Sequence, residues 1–101
     1  MPTAVLVDTV ALLATCLADL STHAIIAVDL EGVELCRTGR VCLLQLFGEG
    51  SRFIWVIDVT VLGSSAFAGI PGFGNLGSLR AILQDPQVQK VNLLCVLHSG
   101  R

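Results

Sequence analysis

The sequence predicts an α/β domain built on a mixed sheet, an antiparallel three-strand meander joined by a returning parallel strand. Three observations carry this expectation. The apolar, β-branched runs IIAVDLEG (Ile25 to Gly32), VCLLQLF (Val41 to Phe47) and FIWVIDV (Phe53 to Val59) follow one another in order, the last two joined by a link of hairpin length. VALLATCLADL, with apolar residues at helical spacing, precedes the first of them. A second helical run, SLRAILQD, leads into the last apolar stretch, QKVNLLCVL. A strand, helix, strand ending after a meander implies a right-handed return beside the first strand.

Each element has a local reason. AVLVDT opens the chain as a short strand, and Asp8 or Thr9 can cap the helix expected near residues 9 to 20. IIAVDLEG is apolar on both alternating faces, the pattern of a central strand buried between two layers. GEGSR joins the second and third meander strands as a Gly-rich hairpin link. From Gly63 to Gly77 there are five glycines, which reads as loop. SLRAILQD makes about two helical turns and stops at Asp85, because Pro86 disfavours a helical residue before it.

Composition narrows the functional classes. At 101 residues the chain is one domain at most, and it is 53% hydrophobic with only 14% charged residues and mean hydropathy +0.80. A soluble domain ordinarily carries roughly 25% charge, so disorder is excluded and an apolar face awaiting a cover is expected. The net charge of -2 offers no basic field for a polyanion. Cys16, Cys36, Cys42 and Cys95 form no CxxC pair and lack a His at zinc spacing, which favours free thiols in a reducing, intracellular compartment, cytoplasmic or nuclear. No Lys or Arg precedes the apolar residues 9 to 28, and the uncharged stretch from Val59 to Leu79 is broken by glycines and a proline. Neither a secretory signal nor a membrane segment is expected.

The chemistry-bearing candidates are few. Asp29 and Glu31 lie two apart on a strand, so both carboxylates project from one face about 7 Å apart, where the strand runs out at Gly32. Such a pair suits a divalent cation with oxygen ligands, Mg²⁺ or Mn²⁺; pairing with Arg37 or Arg40 is the plainer alternative. Those arginines can also reach a phosphate from their loop, or pair with Glu34. The string GFGNLG at Gly72 to Gly77 matches a dinucleotide fingerprint, but no strand precedes it and no acidic residue follows at the required distance, so cofactor binding is disfavoured. Gln45 is expected to make a structural hydrogen bond, Trp55 and Phe47 to fill core strands, and His23 and His98 to be surface or satisfied histidines.

Taken in order, VDLEG at 28 to 32, LCRTGRVCLLQLF at 35 to 47, WVIDVTVLGSSAF at 55 to 67 and SLRAILQDPQVQKV at 78 to 91 resemble one family. It is the 3'-5' exonuclease domain of the DEDD superfamily, in the ribonuclease D and Werner-type branch. The resemblance implies a ribonuclease H-like fold, here partial, and makes Asp29 and Glu31 two of four metal-binding carboxylates. It further implies two divalent ions, Mg²⁺ or Mn²⁺, acting on the terminal phosphodiester at a nucleic-acid 3' end. After Val91 the chain reads NLLCVLHSGR with no acidic residue, and tyrosine is absent throughout. The second- and third-motif residues are therefore unmatched. The expectation is a single incomplete exonuclease-like domain over 1–101, catalytically deficient alone. The alternative is a non-catalytic interaction module that self-associates or docks a protein through an uncovered sheet face.

Overall fold

The computed structural model describes residues 2–31, 43–70 and 77–92. Their strands are β1 (Thr3–Val7), β2 (Ile25–Glu31), β3 (Leu43–Gly48), β4 (Phe53–Asp58) and β5 (Gln89–Asn92). The helices are α1 (Val10–Leu20), α2 (Val59–Leu62) with a following 3₁₀ turn (Gly63–Ala66), and α3 (Leu79–Gln84). The sheet order is β1-β4-β3-β2-β5. β2, β3 and β4 are the antiparallel meander, and β5 pairs in parallel with β2, the first meander strand. β1 pairs in parallel with β4 at the opposite edge.

Helix α1 starts where Thr9, in extended conformation at φ -133 and ψ 156, accepts a hydrogen bond on Oγ1 from the Leu12 N–H at 3.1 Å. Thr9 rather than Asp8 is thus the cap. The helix buries Leu13, Cys16, Leu17 and Leu20, one stripe at helical spacing, against Val7, Ile26, Val28, Leu44, Leu46, Trp55 and Ile57 of the sheet. Full burial of each leucine is worth about 1.5–3 kcal/mol. Ser78 caps α3 in the same manner, accepting from the Ala81 N–H at 3.0 Å, and Leu79 and Ile82 of α3 join the same core. At Asp85 ψ turns to 117 ahead of Pro86, ending α3 as the dipeptide rule requires. The Lys90 ammonium then donates to the carbonyls of Ile82 and Asp85, tying β5 to the end of α3.

The structure corrects three local expectations. β4 ends at Asp58, because the Asp58 carboxylate accepts from the Val61 N–H at 3.0 Å and turns Val59 into the start of α2. The region after Val59 is therefore partly helical as far as Ala66. β2 is next to an edge strand, with β3 in the middle, and it is not sandwiched among the described residues. Val28 and Ile26 face the helices, whereas Ala27 and Asp29 point to the other side, on which none of the described helices packs.

Candidate functional site

Cross-strand register defines the open face residue by residue. Ala27 lies opposite Phe47, Asp29 opposite Gln45, and Gln45 opposite Val56. Paired residues share a face, so Asp29, Gln45 and Phe47 come together on the side away from the helices. With Ala27, Val28, Leu46 and Ile54 they line a cleft of about 190 Å³. The Asp29 Oδ1 is buried and has no hydrogen-bond partner among the described residues. A buried carboxylate oxygen left unpaired is costly. In native proteins such an atom marks a place where a cation or a donor is wanted.

The backbone register puts Glu31, opposite Leu43, on the same face as Asp29. The side chain of Glu31 lies outside the described residues, as do Glu34, Cys36, Arg37, Arg40, Cys42, the glycine string up to residue 76, Cys95 and His98. Among the described residues no group of three or more His, Cys, Asp or Glu stands together. Asp29 therefore fits a metal in the chemistry of its orphaned oxygen, while a hard divalent ion's six or more oxygens must come from further donors.

Phe47 corrects the sequence reading. It is half-buried on the open face beside Asp29 rather than in the helix-covered core, because its alternation partner Leu46 takes the core position. Gln45 is likewise half-buried and lines the cleft. Ile54, also in the cleft, went unnoticed in the sequence. Its parity relative to the buried Trp55 and Ile57 was the available signal.

A second polar cluster lies on the helix side. Asp19 Oδ2 accepts from Trp55 Nε1 at 2.8 Å and from Ser51 Oγ at 2.8 Å, while Oδ1 meets His23 Nε2 at 3.2 Å. Burial raises the Asp19 carboxyl, but bonds from Trp55, Ser51 and His23 and the His23 charge outweigh it and hold it below the usual carboxylate range. Ser51, His23 and Asp19 are the residue types of a hydrolytic triad, yet the serine hydroxyl donates to the aspartate and not to the histidine. No base activates it, and the cluster is structural. His23 is a satisfied histidine, as expected. Cys16, beside this cluster in the core, is a free thiol pushed up by burial and by the Asp19 charge, hence inert.

The chain is similar in structure to Trypanosoma brucei RNase D in its crystal structure with RNA U12, with a TM-score of 0.71 at 20% identity, over 93% of this chain and 30% of that one. The catalytic core of RRP6 from the same organism gives 0.62 at 22% identity, over 91% of this chain and 23% of that one. This is the fold of a DEDD 3'-5' exonuclease-like domain. In sequence, the exonuclease-like domain is 36% identical over 69 residues to the mouse piRNA biogenesis protein EXD1, covering 68% of this chain and 10% of that protein. The chain thus spans about a tenth of its curated relative and under a third of these solved structures. No family model matches. No helix among the described residues is long and apolar enough to cross a membrane.

Proposed function

We propose that this domain acts at nucleic-acid 3' ends, with Asp29 and Glu31 as two of the four carboxylates that hold Mg²⁺ or Mn²⁺, and that the 101-residue chain alone does not hydrolyse phosphodiesters. One observation carries the reading. The Asp29 Oδ1 is buried and, among the described residues, unpartnered in a cleft near the end of β2, on a sheet of RNase D topology. Asp29 offers its free oxygen toward the open face, and the extended backbone of β2 holds Glu31 two residues on, on the same face. Phe47 and Ile54 line the same cleft as Asp29 and give it an apolar wall. When bound, the divalent ions supply Lewis-acid stabilisation of charge at the scissile phosphate. Two carboxylates on one strand cannot fix two ions about 3.5–4 Å apart, which is why the chain alone is inactive in this reading. An RNA substrate is the first choice, since the RNase D neighbour was crystallised with RNA.

Calorimetric titration with Mn²⁺ tests the metal assignment: weak binding is expected, and it should vanish in Asp29→Ala. Micromolar binding that survives Asp29→Ala places the ions elsewhere and overturns it. On 3'-labelled oligonucleotides the native chain should leave no product ladder. A ladder that disappears in the Asp29→Asn, Glu31→Gln double variant would overturn the inactive-alone reading while keeping the site. The second reading, a non-catalytic interaction module, draws on the open face, where Leu6 is 51% and Val91 39% exposed. A protein partner bound through that face, with no metal-dependent binding of nucleic acid, would favour it.

A further inference from the structure

We infer that β1 is a pairing edge for a second copy of this chain, joining two sheets in antiparallel fashion about a two-fold axis at Val5. Thr3 donates its N–H to the Arg52 carbonyl at 2.8 Å, and β1 runs parallel to β4 with Thr3 opposite Phe53 and Val5 opposite Trp55. A strand residue sends its N–H and C=O to the same side, alternating along the chain. Thr3, Val5 and Val7 therefore spend their polar groups on β4, and Ala4 and Leu6 direct theirs to the free edge. Among the described residues no strand pairs with that edge.

Edges of this kind are normally guarded by a charge, a proline or a bulge. β1, TAVLV, contains no charged residue and no proline. Its sequence is also self-complementary in one register. When Val5 faces Val5 of the second copy, Ala4 faces Leu6 and Leu6 faces Ala4. The outward-facing residues then exchange four backbone hydrogen bonds, and small meets large on the open face twice. In this register Asp8 lies opposite Pro2, so the dyad brings no like charges together. Shifting the register by two residues brings Ala4 against Ala4 or Leu6 against Leu6 and loses half of the pairing. A one-residue slip sets inward-facing groups against outward-facing ones. Leu6, 51% exposed, is thereby covered without any movement of the core.

The test is sedimentation velocity of the 101-residue chain over a concentration series, with Trp55 fluorescence confirming that each variant is folded. The native chain is expected to dimerise. Leu6→Pro removes an N–H that the β1–β4 ladder does not use, so the dimer should weaken at least about tenfold. Val5→Cys places two thiols across a non-hydrogen-bonded pair, whose Cα separation of about 4.5 Å permits a disulfide. Oxidation should give the linked peptide carrying position 5 from both chains. Phe47→Glu, on the open face away from the edge, should leave the dimer intact. A monomer throughout the series, a dimer without the position-5 linkage, or a dimer lost in Phe47→Glu but retained in Leu6→Pro would each overturn the inference.

Discussion

Removing the Asp19 carboxylate should loosen the junction between α1 and the β3–β4 hairpin more than any other single polar change among the described residues. Asp19 lies near the end of α1 and gathers three donors: Trp55 on β4, Ser51 in the hairpin link and His23 just past the helix. In Asp19→Ala the indole N–H of Trp55, a residue 2% exposed, is left without a partner. An orphaned buried donor costs about 1–3 kcal/mol, and the bonds from Ser51 and His23 to a charged acceptor add about 1 kcal/mol each after solvent screening. The expected loss is about 4 kcal/mol, with roughly half of that for Asp19→Asn, whose amide oxygen still accepts one bond. For a domain near this size the alanine variant should melt roughly 15–30 °C lower. Urea denaturation followed by fluorescence is well suited, because Trp55 is the single tryptophan and sits in the cluster. A loss under about 1 kcal/mol in Asp19→Ala would refute the reasoning, since Trp55 would then have found another acceptor.

Acid should expose the same cluster: with the Asp19 carboxyl depressed in the fold, its contribution is complete above the ordinary carboxylate value of about 4 and is lost as pH falls through the lowered folded value. Asp19→Asn should flatten that acid limb, as read by thermal melts between about pH 2 and 6. Gly48→Ala should cost about 1–3 kcal/mol by urea titration, because the added methyl would overlap the His23 imidazole; double substitution with His23→Ala should recover most of it. Thr9→Ala should cost about 1 kcal/mol through the lost α1 cap. Mass-spectrometric mapping of alkylation should find Cys16 protected until the domain unfolds.

Elements were legible wherever a local rule decides them. Asp8 or Thr9 marked the start of α1, Pro86 fixed the end of α3, and three successive apolar runs produced the meander. Facing was harder to read. IIAVDLE is apolar at nearly every position, so periodicity alone could not tell a strand covered on both sides from one with an open apolar face. The same ambiguity put Phe47 in the core, because Leu44, Leu46 and Phe47 are all apolar and only register assigns them to opposite sides. At the site, the spacing of Asp29 and Glu31 was readable, whereas the empty bonding capacity of Asp29 depends on Gln45, Phe47 and Ile54 arriving from two other strands. The Asp19 cluster had no sequence signature, since its donors are a histidine four residues on and two residues more than thirty positions away.

The parallel pairing of β1 with β4 has a kinetic consequence. Leu46 and Trp55 meet across a tight hairpin, whereas Thr3 and Phe53 are about fifty positions apart in sequence. Loop-closure entropy makes the hairpin the early event and the β1 ladder a late one. Interactions made after the rate-limiting barrier govern unfolding rather than folding rates, so substitutions in β1 should speed unfolding and leave refolding nearly unchanged. The amides of β1 should likewise exchange with solvent through local detachment well before those of β3, which is paired on both sides. β1 is thus a late strand to lock, as is β5, which pairs with β2 across a still longer span, and the hydrogen-bonding edge that β1 carries exists only once β4 is in place.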